Sequence, residues 1–473
     1  MKRTKIIATI GPASEDVGTI KQLVSAGIDV ARLNMSHGPI TDHKRRIENI
    51  RKVSGETAIL IDLQGPKIRT GLLKEGHVTL HSGNTFIITT RQVEGDDKLV
   101  STSYKGLTRD VKAGDDILID DGLIKLKAVK VGRTDVVCRV INGGVLKNHK
   151  GLNLPGVRVS APSLTAKDKR DLLFGIKEKV DYVAISFVRE AKDVHTVKNI
   201  IRSKGANIPV IAKIEKPEAL RNLIEIIKAA DGIMIARGDL GVELSPEKVP
   251  VIQKDIIKKC NFYAKPVITA TQMLETMVTN PRPTRAEASD VANAVYDGTD
   301  ALMLSEEVAV GKYPVASVRT MSNITNQAES AIYTKEHEVS GLTVNKTVAS
   351  AVCHAACHTA EELDAKAVIA FTSSGSTALL VSKFKADVPV IAVTTDRCTL
   401  RRVKLYFGVI PVLTGSYRTT DQMFGIAEKA MLTSGLVKKS DLVILVAGIP
   451  IGRSGTTNLI KVHRIGESVR LAK

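Results

Sequence analysis

Eight short β-branched runs recur along the chain, at Lys5 to Ile10, Val30 to Leu33, Ala58 to Leu63, Tyr182 to Phe187, Val210 to Ile214, Ile233 to Ile235, Val267 to Thr269 and Ala301 to Leu304, with helix-like stretches between them. Eight strand-helix units in succession predict a closed parallel barrel. Six of the seven strand-to-strand intervals span 23 to 35 residues, but Ile59 to Val183 spans 124. That excess is too long for a loop and predicts a domain set into the barrel after its third strand.

The segment between Pro66 and Pro162 changes character. Alternating runs such as His77 to Leu80, Thr85 to Ile88 and Val136 to Val140 are separated by Gly and Asp turns, the pattern of half-buried antiparallel strands. Beyond about residue 338, helices alternate with Ala367 to Ala370, Val390 to Val393 and Leu442 to Val446, which predicts an open α/β layer. The expected fold is α/β: a (β/α)8 TIM barrel over residues 1–66 and 163–338, an inserted small β-barrel lid over 67–162, and a C-terminal α/β regulatory domain over 339–473.

Composition narrows the partners. A net charge of +18 favours anions, yet there is no arginine-rich run, Trp is absent and aromatics make up 3%, so the stacking surface of a single-strand binder is missing. A phosphorylated metabolite ranks above nucleic acid. Five scattered cysteines do not make a disulfide framework, and a reducing compartment is expected. No run is long enough to span a bilayer and the first residues lack a signal-peptide core, so a cytoplasmic location without membrane association is expected.

In parallel barrels the reactive groups gather at the carboxyl ends of the strands, and these ends are strongly polar here. They carry Arg32, Asn34, Ser36 and His37; Asp62, Lys67 and Arg69; Lys213 and Glu215; Arg237, Gly238 and Asp239; Thr271; and Ser305, Glu306 and Glu307. Lys213 and Glu215, two apart on a strand, share a face. Glu215 and Asp239 can bind Mg²⁺ or Mn²⁺ through oxygen, Lys213 can neutralise a phosphoryl group or enolate, and Arg32 and Arg69 can grip phosphate. Gly238 and Asp239 can open a helix that receives a carboxylate. No P-loop is present, since Gly311-Lys312 is followed by Tyr313, and a nucleotide must be held differently. The residues alone leave open a phosphotransferase, a barrel lyase or aldolase that forms a pyruvate enolate, and a basic anion-binding or RNA-binding protein without catalysis.

Seven motifs reduce these alternatives: Thr4-Lys-Ile-Ile-Ala-Thr-Ile-Gly-Pro12, Ala31-Arg-Leu-Asn-Met-Ser-His-Gly38, Lys213-Ile-Glu215, Ala236-Arg-Gly-Asp-Leu-Gly241, Ala270-Thr-Gln-Met-Leu-Glu275, Asn280-Pro-Arg-Pro-Thr-Arg-Ala-Glu287 and Ser454-Gly-Thr-Thr457. Together the set, from residue 4 to the C-terminus, resembles pyruvate kinase. The resemblance implies phosphoryl transfer from phosphoenolpyruvate to ADP in glycolysis, giving pyruvate and ATP, in a homotetramer. It implies Glu215 and Asp239 as divalent-metal ligands and Lys213 as the stabiliser of phosphoryl group and enolate. Thr271 would lie near the protonated carbon, with Ser305 and Glu307 supporting the proton relay. Arg32 would contact the transferred phosphoryl group, Asn34 would lie beside the substrate, and Gly238 and Asp239 would receive its carboxylate. Thr9, Pro12, His37, Arg69 and Lys150 would line the nucleotide site, and the inserted domain would exclude water as a lid.

One departure from the resemblance is informative. Many relatives have Thr-Lys-Gly-Pro-Glu after the strand-three aspartate and need K⁺, whereas this chain reads Asp62-Leu63-Gln64-Gly65-Pro66-Lys67. Glutamate replaced by lysine changes the local charge by two, and an ammonium near Asp62 is expected to stand in for the monovalent ion that Asn34, Ser36 and Asp62 would surround. K⁺-independence follows. Glu306, where glycine is common, is expected to face away from Glu307.

Two weaker signals lie in the last third. Thr372, Ser373, Ser374, Gly375, Ser376 and Thr377 follow a strand and precede a helix, so they can cradle the phosphate of a sugar-phosphate or nucleotide effector or simply cap that helix. Cys353-His354-Ala-Ala-Cys357-His358 has the letters of a zinc set, but on a helix the histidines lie about 100° round from the cysteines, and a packed helix is expected.

Overall fold

A computed structural model describes residues 2–333, 344–451 and 455–467. Strands β1 (Lys5–Thr9), β2 (Val30–Asn34), β3 (Ala58–Asp62), β4 (Tyr182–Ile185), β5 (Val210–Ile214), β6 (Gly232–Ala236), β7 (Val267–Ala270) and β8 (Ala301–Leu304) close a barrel in sequence order. Every neighbouring pair is parallel. Helices cover the outside, so each strand is buried on both faces, and this is why the strands read as continuous apolar runs rather than as alternation. Ile6, Ala8, Ala31 and Leu33 face the helices, whereas Ile7, Val30, Leu60, Tyr182 and Met234 fill the interior and belong to a core that continues into the C-terminal part.

At the amino-terminal rim a fourfold pattern appears. Asp29, Asp181, Asp231 and Asp300 immediately precede the even strands, and each carboxylate accepts the amide of a residue on the preceding odd strand: Ile6 at 2.9 Å, and Ile59, Val210 and Val267 at 2.8 Å. Each staple also has a cation, from Lys2 to Asp29, Arg51 and Arg401 to Asp181, Lys198 to Asp231, and Lys383 to Asp300. These carboxylates therefore fix strand register.

Between β3 and β4 the chain builds a six-stranded sheet and a two-stranded ribbon, around one core that includes Phe86, Ile117, Leu126 and Leu146. Arg69 and Thr70 bridge to Gly151 beside one edge strand of the sheet and to Thr102 beside the other, so the sheet curls round on itself in the manner of the small β-barrel that its alternation predicts. Arg69 bridges to Gly151 near the two crossings, so the segment leaves and re-enters the barrel close to one point.

The C-terminal layer is a five-stranded sheet ordered β11 (Val409–Leu413), β10 (Val390–Thr394), β9 (Ala367–Phe371), β12 (Leu442–Gly448), β13 (Thr457–Arg464), parallel except for the last pair. Two of these strands, β11 and β13, go beyond the three expected from sequence. Pro411 in β11 and the polar residues of β13 mask them, and both lie at edges, where such residues are tolerated. The expected junction at 338/339 and Ser454 of the last motif lie outside the described residues. Among the described residues no helix is long and apolar enough to cross a membrane.

Candidate active site

The carboxyl ends of the strands bring a charged cluster together. Lys213 leaves the end of β5 with its ammonium 2.8 Å from Glu215 Oε1 and 3.3 Å from Asp62 Oδ1, and it donates to Ser186 Oγ at 2.8 Å. Burial alone would push its pKa down, but Asp62, Glu215 and Asp239 outweigh that and hold it above the ordinary lysine value. Lys213 is a fixed cation.

Asp62 is 1% exposed and is gripped by Arg32, which donates from Nε at 2.9 Å and lies 2.7 Å away at Nη2. Burial opposes its ionisation, yet Lys213 and Arg32 hold its pKa below the usual carboxylate value. Arg32 also donates to Thr9 Oγ1 at 2.8 Å, which in turn donates to the Leu304 carbonyl. One hydrogen-bonded chain thus joins the ends of β1, β2, β3, β5 and β8. Lys67 is not among the ion-pair partners of Asp62 within the described residues. Arg32 and Lys213 already occupy the Asp62 carboxylate, and the Lys67 stem instead lies against Gly151 of the inserted segment.

Glu215 accepts the Phe187 amide at 2.8 Å. Burial raises its pKa, Lys213 counters this, and the negative charge of Asp239 adds to the rise, so the net value is above the ordinary one. Two carboxylates that repel one another beside a cleft are the donor set a hard divalent cation would relieve. No group of three or more His, Cys, Asp or Glu residues suited to a metal exists among the described residues. Two carboxylates fit Mg²⁺, which keeps waters and substrate oxygens in its shell.

Asp239 lies in the helix Arg237–Glu243, which begins directly after β6. It lines a cleft of about 530 Å³ with Phe187, Arg189 and Lys216 on the barrel side and Pro66, Lys67, Ile68 and Leu152 to Leu154 on the other. The Gly238 amide donates to Thr271 Oγ1 at 2.7 Å, so this helix start is filled by a side chain. Thr271 itself sits at φ +72° and Gln272 at φ +53°, a conformation costly for a β-branched residue and kept where surrounding contacts enforce it. Arg237 supplies one such contact, donating to the Thr271 carbonyl at 2.9 Å while paired with Asp290. Glu307 is buried and accepts the Ser305 amide at 2.6 Å and the Leu274 amide at 3.2 Å, and burial raises its pKa. Its neighbour Glu306 is exposed.

The expected nucleotide face is less complete. Pro12 and His37 are exposed, and His37 is disfavoured as a cation by desolvation and by Arg69, Lys67 and Arg32. Arg69 donates to the His149 carbonyl, and Lys150 is paired with Asp120 within the inserted segment at 2.8 Å. Asn34 Oδ1 accepts the Ser36 amide at 3.1 Å.

Sequence reasoning passed over the end of β4. Ser186 accepts from Lys213 and donates to the Leu63 carbonyl, and Phe187 orients Glu215. The available signal was a serine directly after an apolar strand, in line with the six polar ends already named.

In the C-terminal layer, Thr372, Ser373, Ser376 and Thr377 line a cavity of about 420 Å³ with Tyr417, Gly448 and Thr457. Thr372 Oγ1 accepts the Gly375 amide at 2.8 Å, and the Thr377 and Thr457 hydroxyls are 2.8 Å apart. On the helix Val348–Glu362, Cys353 and Cys357 are buried while His354 and His358 are exposed. Burial pushes the Cys353 thiol up to about 12.

The description "Pyruvate kinase, barrel domain" matches residues 1–318, and "Pyruvate kinase, alpha/beta domain" matches residues 350–463. This chain belongs to the pyruvate kinase family. It is 48% identical to the pyruvate kinases of Staphylococcus aureus strains USA300 and NCTC 8325 over 476 aligned residues, 99% of this chain and 81% of each relative. A crystal structure of a pyruvate kinase from Cryptosporidium parvum superposes with a TM-score of 0.89 at 36% identity, covering 98% of this chain and 96% of that one. The chain is accordingly an enzyme, a glycolytic phosphotransferase.

Proposed function

We propose that the cleft above β5 and β6 transfers the phosphoryl group of phosphoenolpyruvate to ADP, with Lys213 as its electrostatic centre. The observation that carries this reading is the Lys213 ammonium held between Asp62, Glu215 and Ser186, beside a third carboxylate, Asp239, in a walled cleft. Phosphoryl transfer needs alignment and charge neutralisation more than covalent chemistry. Lys213 neutralises the moving phosphoryl group and then the enolate oxygen; Arg32, fixed by Asp62 and Thr9, offers its guanidinium to the same phosphoryl oxygens. Glu215 and Asp239 would hold Mg²⁺ or Mn²⁺, which when bound supplies Lewis-acid polarisation of the phosphoryl and carboxylate oxygens. The Thr271 hydroxyl stands at the face where the enolate carbon is protonated, with Glu307 and Ser305 shaping that wall. The Gly238 amide exchanges Thr271 for the substrate carboxylate.

Thr9, Pro12, His37, Arg69 and Lys150 form the nucleotide face, and residues 67–162 act as a lid that excludes water when both substrates are in place. Lys67 contributes a positive charge at the hinge, so the reaction needs no K⁺. The Thr372 to Thr377 loop takes a phosphate-bearing effector, and the assembly is a homotetramer. Pyruvate formed only when phosphoenolpyruvate, ADP and Mg²⁺ are all present is the expected result, and pyruvate formed without ADP would point to the lyase reading instead. Titrating sugar monophosphates and AMP at low phosphoenolpyruvate tests the effector loop, where a flat response to all removes it; light scattering tests the tetramer.

A further inference from the structure

One buried carboxylate outside the charged cluster joins the inserted segment to the residue that follows Glu215. Glu243 ends the helix that carries Asp239, one turn further on, and its side chain is 2% exposed. Its Oε1 accepts the Asn153 side-chain amide of the inserted segment at 2.9 Å and pairs with Lys216, the residue that directly follows Glu215. The Lys216 ammonium also stands 5.6 Å from the Phe187 ring centroid, and the Phe187 amide is the one that orients Glu215. Asn153 belongs to the strand Leu152–Asn153, paired with Ile119 and Leu118 in the six-stranded sheet, so it moves with that sheet as a body.

We infer that Glu243 is a positioning residue that couples docking of the inserted lid to the arrangement of Glu215 and Asp239. With the lid docked, Asn153 and Lys216 share one oxygen and hold the end of the Asp239 helix against the residue after Glu215. With the lid swung away, Oε1 keeps only Lys216, and that helix loses its tie to the sheet. Coupling of this kind is reciprocal: a lid that favours the divalent site must itself be favoured when the site is filled.

The inference rests on Glu215 and Asp239 being the divalent ligands, so the experiment separates the two. Mn²⁺ binding is measured without substrates by electron paramagnetic resonance, and hydrogen exchange is followed over residues 150–157, for the parent, Asn153→Ala and Glu215→Gln. In the parent, Mn²⁺ is expected to slow exchange of 150–157. In Asn153→Ala, the Mn²⁺ dissociation constant is expected to rise roughly three- to tenfold, a part of the worth of one hydrogen bond to a buried charged carboxylate, and exchange of 150–157 is expected to stop responding to Mn²⁺. An unchanged Mn²⁺ affinity in Asn153→Ala, or exchange that still follows Mn²⁺, overturns the coupling. Full Mn²⁺ binding by Glu215→Gln instead overturns the ligand assignment beneath it. Asn153 is only partly buried, and its truncation leaves the Lys216–Glu243 pair intact, so loss of folding does not mask the result.

Discussion

The two ends of the barrel treat buried lysine in opposite ways. At the carboxyl end Lys213 faces three carboxylates and is held as a cation. At the amino end, where the C-terminal layer packs, burial dominates and pulls Lys5 and Lys385 down to about 8, despite Asp29 beside one and Asp300 beside the other. Lys5 spends its proton on the Val409 carbonyl at 2.8 Å, and Lys385 lies 3.7 Å from the Phe407 ring centroid. Depth of burial is therefore not what separates the lysine held as a cation from those whose charge is disfavoured. The number of nearby carboxylates does so, and a carboxylate in excess of the cations at the mouth is a donor a divalent cation could take.

The contrast breaks most visibly at the mouth. Lys213→Met is expected to lower kcat by roughly 10²- to 10³-fold or more, the scale of losing one preorganised charge at a developing anion, while Mn²⁺ binding to Glu215 and Asp239 survives; loss of Mn²⁺ instead would mean Lys213 only shapes the metal site. At the other end, Lys383 pairs with Asp300 at 2.5 Å, both fully buried. Lys383→Met leaves a buried charge poorly compensated and is expected to cost about 3–5 kcal/mol of unfolding free energy in urea, with kcat of the folded enzyme within about twofold; a large kcat loss would erase the distinction between the ends.

Titration sharpens the same contrast. Lys5 and Lys385 have folded pKa values near 8, below the ordinary 10.5, so between these values the unfolded chain binds more protons and stability gains as pH rises from about 8 towards 10.5. Urea unfolding at pH 7.5 and 9.5 should show a smaller gain for Lys385→Met than for the parent, and equal gains would contradict the assignment. The smallest effect is expected at Lys67: the parent should run in Tris buffer without K⁺, and Lys67→Glu should gain a stimulation by K⁺ of several-fold. Strong K⁺ stimulation of the parent would remove Lys67 from the account.

Much of this molecule was legible in its chain. Eight apolar runs and one long interval gave the barrel and the insertion, because strands buried on both faces need continuous hydrophobicity. Polar strand ends gave Lys213, Glu215, Asp62 and Arg32, because that rim is where a barrel places its loops. The strands β11 and β13 were not legible, since edge strands carry prolines and polar residues that break the pattern. Partners within the site were equally hidden: nothing in the spacing of Asp62 and Lys67 revealed that Arg32 would reach Asp62 first, and nothing in Asn153 or Glu243 revealed that they meet across 90 residues.

The aspartate staples at the amino-terminal rim have a consequence for how such a chain assembles. Three of them join residues 21 to 33 apart, but the staple from Asp181 to Ile59 spans 122 residues because the insertion lies inside it. Closing that loop as flexible chain would cost about 1.5 kcal/mol more than closing a short one. An inserted sheet that folds by itself, and returns its two ends to one place, cancels most of that difference. Barrel closure between the third and fourth strands is expected to follow folding of the insertion, and a chain with a short linker in its place is expected to complete its barrel at least as fast in stopped-flow refolding.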